Sequence, residues 1–286
     1  MELNFTEQFE SALAKEEFHV FYQPKVSLHN YKIVGAEALC RWFHNGVVIP
    51  PDSFIPALEQ TQAICRLDFY MLEHVCRDIR RWIDEGCKCV RVSVNLSRKH
   101  KVNDRLISDI IEIIDTYSVP HDLIEIELVE STLEMAFPEL REIVLGLKKY
   151  GIGTSVDDFG TGYSSLNLIR DLPWEVLKID KRFVPQNASD KKQYIMIKHL
   201  IAMAQDLGLD CIVEGIETVE QVKILKEYNC YMAQGNFFDK PLPANEFERK
   251  LQAGKKPAAS PFEDGLLAPE ARKLLHRQLE EEKLEI

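Results

Sequence analysis

Seven apolar stretches of the chain each run into a polar side chain able to hold a metal ion or a phosphate: Glu37, Asn95, Glu127, Asp157 with Asp158, Lys178, Glu214 and Gln234. Asp157-Asp158 stands out among them. It ends the run Gly151-Ile-Gly-Thr-Ser-Val156 and leads into Phe159-Gly-Thr-Gly-Tyr-Ser-Ser-Leu166. Alone, such a pair reads as a solvated acidic turn. Where two adjacent acids lose hydration together, their repulsion has to be offset by something cationic, and a divalent ion is the strongest candidate. A single acid after one strand is an ordinary loop residue, but strand after strand ending alike is not accounted for by solvated loops. The donors are oxygens, with no Cys or His among them, which suits Mg²⁺ or Mn²⁺ and argues against zinc. A carboxylate pair able to bridge two cations suggests a two-metal centre of the kind that cleaves phosphoesters.

These side chains need strands to present them, and the chain alternates strand and helix. Helical spacing covers about 6–15, with Thr6 as cap. Strands follow at Phe18–Pro24 and Ile33–Leu39, joined by the polar turn His29-Asn30, so these two are expected to run antiparallel. A long helical segment is expected over roughly 52–84. Further strands lie at Val90–Asn95, Leu123–Leu128, the stretch ending at Asp158, Val176–Asp180, Cys211–Glu214 and Met232–Phe237, with amphipathic helices between them. Eight short strands separated by helices define an α/β fold, a (β/α)8 TIM-like barrel with an antiparallel first strand. In such a barrel the C-terminal ends of the strands face one pocket, which is where its chemistry sits.

Composition agrees. The chain has 286 residues, 45% hydrophobic and 28% charged, with a net charge of -11 and no long basic block, so a duplex nucleic-acid surface is not expected. No stretch is long enough to span a bilayer, and the start MELNFTEQF has no signal-peptide pattern, so a cytoplasmic location is expected. Seven scattered cysteines read as reduced thiols, and Cys87-Lys-Cys89 lacks the spacing of a zinc knuckle. The three Trp residues are read as packing, and the eight His residues show no ligand spacing.

Glu37-Ala-Leu-Cys-Arg41 resembles the signature that names the EAL domain, the family of bacterial cyclic di-GMP phosphodiesterases. Further landmarks fall in order: Tyr22-Gln-Pro24, Pro51-Asp-Ser-Phe-Ile-Pro56, Val94-Asn-Leu-Ser97, Glu127-Leu-Val-Glu-Ser131, Asp157 through Leu166, Leu177-Lys-Ile-Asp180, Glu214-Gly-Ile-Glu-Thr218 and Gln234-Gly. The resemblance covers residues 1–250 and implies an enzyme that opens cyclic di-GMP to linear pGpG. It implies that Glu37, Asn95, Glu127 and Asp157 hold one ion, and that Asp157 and Asp158 hold a second. Lys178 and Glu214 would orient a water or move its proton, with the base left open between them, and Glu37 belongs to the same catalytic group. Gln23, Arg41, Asp180 and Gln234 would contact the ligand, Arg41 by forking onto a phosphate. Glu130 and Glu217 would brace the loop 159–166 and couple dimer packing to the second ion. Two Mg²⁺ or Mn²⁺ ions and a homodimer are implied, with Ca²⁺ inhibitory. Departures fall outside these ligands: Val129, Gln62 and Asn236-Phe-Phe-Asp239 replace residues more usual in the family. A cyclic di-GMP receptor without activity is the alternative, though one would be expected to lack a ligand, and hydrolysis of another phosphodiester is more remote. Residues 251–286 lie outside the resemblance, as a linker and a possible helix from Pro269 carrying Leu274, Leu275 and Leu279. That helix could dock on the barrel, meet a partner or a second subunit, or remain solvated. With no sensor or cyclase segment beside the barrel, any input is expected from a partner or from dimerisation.

Overall fold

The computed structural model describes residues 5–100, 104–129, 137–159, 166–186 and 190–253. Its strands are β1 (Phe18–Ser27), β2 (Ile33–His44), β3 (Val47–Ile49), β4 (Arg91–Leu96), β5 (Ile124–Val129), β6 (Gly153–Phe159), β7 (Val176–Ile179), β8 (Asp210–Val213), β9 (Met232–Ala233) and β10 (Leu242–Pro243). They form one sheet in the order β10-β1-β9-β8-β7-β6-β5-β4-β2-β3, and a further β1–β2 pairing closes eight of them into a barrel. β1 runs antiparallel to both neighbours, β2 and β9, whereas the ladders from β2 through β4 to β9 are parallel. The antiparallel start expected from the short turn is therefore present, with Lys32 N donating to Asn30 Oδ1 at 3.1 Å inside that turn. Strands covered on both faces can be apolar throughout, which is why β5 and β7 carry few outward polar residues. β3 and β10 are additions at the rim, too short to leave a mark in the sequence pattern.

Helices α1 (Phe5–Ala14), α2 (Pro51–Glu59), α3 (Ala63–Asp84), α4 (Asp104–Thr116), α5 (Phe137–Lys149), α6 (Leu166–Asp171), α7 (Lys191–Asp206), α8 (Val219–Glu227) and α9 (Ala244–Ala253) complete the described fold. The segment expected as one helix over 52–84 is two. Thr61 makes the break: its Oγ1 donates to Leu58 O at 3.1 Å and accepts from Ala63 N at 3.2 Å, so a side chain replaces helical backbone bonds. α3 then buries the stripe Ile64, Leu67, Met71, Val75, Ile79 and Trp82 against the barrel. α8 opens with a capping box between Thr218 and Gln221. α9, which the sequence reading did not separate from the barrel, lays Phe247 on Tyr22 at 5.3 Å and Trp82 at 5.5 Å. All three tryptophans are buried, as packing requires, and all seven cysteines are free. The expected linker and C-terminal helix lie outside the described residues.

Candidate functional site

Strand alternation sorts β1 into two faces. Tyr22 points out to α3, where its hydroxyl donates to Asp78 Oδ2 at 2.7 Å, so Gln23 and Lys25 point into the barrel. The same period puts Glu37 on β2, Ser93 and Asn95 on β4, Glu125 and Glu127 on β5, Asp157 on β6 and Lys178 on β7 on the inner face. Register aligns them: Gln23 pairs with Glu37, and Asn95 with Glu127.

Lys178 sits at the centre. Its Nζ lies 2.8 Å from Glu127 Oε2, 2.8 Å from Glu214 Oε1, 2.9 Å from Asp157 Oδ1 and 3.5 Å from Glu37 Oε2. Gln234 Nε2 donates to Glu37 Oε2 at 2.6 Å and to Gln23 Oε1 at 3.1 Å, joining the last strand to the first two. One layer deeper, Lys25 Nζ contacts Ser93 Oγ, Glu125 Oε1 and Glu127 Oε1 at 2.8, 2.9 and 3.0 Å. Five carboxylates, Glu37, Glu125, Glu127, Asp157 and Glu214, thus share two ammonium groups, an excess of three negative charges. Most are deeply buried, Glu127 and Lys178 at 0% and 1% exposure, while Glu214 keeps 19% of its side chain exposed.

The protonation equilibria record that excess. Burial pushes Glu37 above the usual carboxylate range, and the neighbouring Glu127 and Asp157 add to it against the pull of Lys178. Burial raises Glu214 well above that range, only partly opposed by Lys178. Burial acts on Glu127 the same way, but Lys178 and Lys25 outweigh it and hold the group at about 2. For Lys178, burial would favour the neutral amine; Asp157, Glu127, Glu214 and Glu37 reverse this and keep it charged. Carboxylates forced together in this way either take up protons or take up cations. Ligand oxygens of Glu37, Glu127 and Asp157 lie within 4.8 Å of one another, all hard donors, so the residues present fit a divalent ion such as Mg²⁺ or Mn²⁺.

Asn95 shares the inner face of β4 and stands beside Glu127. At Asp157 and Asp158 the β6–β7 ladder shifts register between Val156 and Phe159, an irregularity of the kind that re-aims a side chain. The side chain of Asp158 lies outside what is described, as do Glu130 and residues 160–165 of the expected regulatory loop. Arg41 is four residues beyond Glu37 on β2; its guanidinium donates to Cys40 O at 2.7 Å and lies 5.8 Å from the Phe21 ring centre. Asp180 follows β7, its Oδ1 accepting from Arg182 N and Nε at 2.8 and 2.7 Å. Glu217 is exposed, and its backbone N–H donates to Gln221 Oε1 at 2.8 Å.

Three inward residues escaped the sequence reading: Lys25, Ser93 and Glu125. The available signal was period two, since Lys25 and Glu125 lie two residues from Gln23 and Glu127 on the same strand faces. A buried ion pair, Asp68 Oδ2 with His100 Nε2 at 3.0 Å, also escaped. Asp68 accepts from Ser97 N at 2.8 Å as well, so it ties α3 to the segment that follows β4.

Comparison with known proteins gives the class this geometry belongs to. Residues 6–241 match the EAL domain, and the chain belongs to that family. It is 33% identical over 262 residues to cyclic di-GMP phosphodiesterase NbdA of Pseudomonas aeruginosa, across 91% of this chain and 34% of that protein. With oxygen sensor protein DosP of Escherichia coli it shares 32% identity over 238 residues, 82% of this chain and 30% of the relative. The chain thus spans about a third of the length of these relatives. Among solved structures, a PaMucR phosphodiesterase in complex with c-di-GMP superposes with a TM-score of 0.80 at 32% identity, over 86% of this chain and all of that one. The barrel fold expected from the sequence is the fold of this family. Among the described residues no helix is long and apolar enough to cross a membrane.

Proposed function

We propose that the chain hydrolyses cyclic di-GMP to linear pGpG with two divalent ions, Mg²⁺ or Mn²⁺, at the C-terminal mouth of the barrel. The observation that carries this reading is the excess of three carboxylates over ammonium groups clustered there, in a chain of the EAL family. Glu37, Asn95, Glu127 and Asp157 hold one ion, and Asp157 with Asp158 the other. Bound there, the ions supply Lewis acidity to the phosphoryl group and lower the pKa of a coordinated water. Lys178 lies 2.8–2.9 Å from three carboxylates that keep it charged and so without a lone pair, and it orients them and stabilises charge instead of acting as a base. Glu214, partly open to solvent, is the proton acceptor. Gln234 fixes Glu37 and, with Gln23, offers amide groups at the rim. Arg41 forks onto a phosphate and Asp180 contacts the nucleotide. Glu130 and Glu217 brace residues 159–166, and the protein acts as a cytoplasmic homodimer.

The test is the purified full chain incubated with cyclic di-GMP and Mg²⁺ or Mn²⁺, with an EDTA control, read by chromatography. A pGpG peak that EDTA abolishes is the expected result. Intact nucleotide that nevertheless binds the protein would move the assignment to a receptor.

A further inference from the structure

Barrels of this kind normally fill their interior with layers of branched aliphatic side chains. Here the layer beneath the mouth instead contains the ammonium of Lys25. Its three protons have three acceptors: Ser93 Oγ at 2.8 Å, Glu125 Oε1 at 2.9 Å and Glu127 Oε1 at 3.0 Å. The remaining oxygen of Glu127, Oε2, meets Lys178 at 2.8 Å. The two oxygens of one buried carboxylate are therefore divided between two lysines on different strands. Lys25 holds the deeper one, since it pairs across from Gly35, two residues below the Gln23–Glu37 pair. Gly35 keeps the route open: a Cβ there would come within 3.3 Å of Lys25 Cδ and 3.2 Å of Arg91 O.

We infer that Lys25 is a positioning residue for Glu127, fixing one carboxylate oxygen from beneath so that the other is presented to the mouth of the barrel. This rests on the reading of Glu127 as a metal ligand. Glu125 balances the charge of Lys25 within the same layer, so removing both leaves the net charge of that layer unchanged and takes from Glu127 the bond that fixes its deeper oxygen. That separates it from two rival roles. A filler would be replaced without effect by an apolar chain of similar length. A purely electrostatic neighbour would, on removal of its positive charge, leave a cation site tighter.

The test is Mn²⁺ binding to the full chain without nucleotide, followed by the electron paramagnetic resonance signal of free Mn²⁺. Lys25→Met alone strands two buried carboxylates and risks misfolding. The double variant Lys25→Met/Glu125→Leu removes the balanced pair and leaves Glu127 its bond from Lys178. Its tightest Mn²⁺ site is expected to weaken by about 10–100-fold, the usual loss when the group orienting a metal ligand is removed. Glu37→Gln serves as the control that should lose the same site. Wild-type affinity in the double variant, with the site lost in Glu37→Gln, overturns the role of Lys25 and leaves the metal reading standing. No site in the wild type that Glu37→Gln abolishes overturns the metal reading and this inference with it. Should the double variant fail to fold, Lys25→Met/Glu125→Gln, which keeps the layer's charge balance and a polar group beside Ser93, carries the test. The same weakening of Mn²⁺ affinity supports the role, and unchanged affinity overturns it.

Discussion

Lys178→Met removes the cation at the centre of the carboxylate cluster. The ammonium has three carboxylate contacts at 2.8–2.9 Å and a fourth at 3.5 Å. At an effective dielectric of about 20, each contact near 3 Å is worth about 5 kcal/mol before desolvation is subtracted. Removing one partner of a buried ion pair costs about 3–5 kcal/mol net. Methionine leaves the excess of three carboxylates as four, with nothing to replace the lost donors. At about 2–4 °C per kcal/mol for a chain of this size, the melting temperature in EDTA should fall by roughly 6–20 °C. The sign of the pH dependence follows from the acids. With Lys178 gone, Glu37 and Glu214, already above the usual range, rise further. A raised carboxyl contributes stability below its unfolded pKa and loses it as pH rises through the folded pKa, so the deficit relative to wild type should widen from pH 5 towards pH 8. Saturating Mg²⁺ should recover much of the loss, because a cation then supplies the missing charge, while turnover stays abolished. Scanning calorimetry across pH, with EDTA and with Mg²⁺, reads all of this. A variant that melts with the wild type in EDTA and still turns over would refute the reasoning.

Glu37→Gln should lower turnover of cyclic di-GMP by more than about 100-fold. It should also raise the melting temperature in EDTA, because it removes one uncompensated buried charge; calorimetry beside the product assay checks both. Ca²⁺ in place of Mg²⁺ should leave nucleotide bound but cut turnover by more than about tenfold, since Ca²⁺ tolerates looser, larger coordination shells. For His100, burial alone would lower the pKa, but Asp68 carries it up to about 9. Its stabilising contribution is complete below about pH 6.5 and lost as pH rises to about 9, a swing of about 3 kcal/mol at most. Asp68 is itself raised by burial, which reduces the net value of the pair. His100→Asn should therefore flatten the decline in urea-unfolding stability between those two pH values.

Sequence pattern reached the barrel because its strand-helix alternation is strong and local, and it reached the antiparallel start because five residues between β1 and β2 leave room only for a hairpin. It missed the break at Thr61, where no Gly or Pro marks the run Glu59-Gln-Thr-Gln62 and a hydroxyl takes over the backbone bonds. The ring of polar strand ends was legible because each closes an apolar run. Lys25 and Glu125 were not, since a charge inside a strand ordinarily marks the solvent face, and only the closed barrel shows that this face is interior. Asp68 and His100 are 32 residues apart, on elements whose contact no local pattern encodes.

The reversed first strand also bears on how the molecule is assembled as it is made. β1 hydrogen-bonds to β2 a few residues later, but its other edge waits for β9, where Val26 meets Ala233 and Ser27 meets Met232. Until more than 200 further residues have been synthesised, the nascent sheet has an open edge of unpaired backbone amides and carbonyls. When the circle is completed it is by a two-residue strand, the shortest stave in the barrel. A chain cut before Met232 therefore keeps every other stave of the barrel yet has no way to shut, and its exposed edge invites the association that unclosed sheets are prone to.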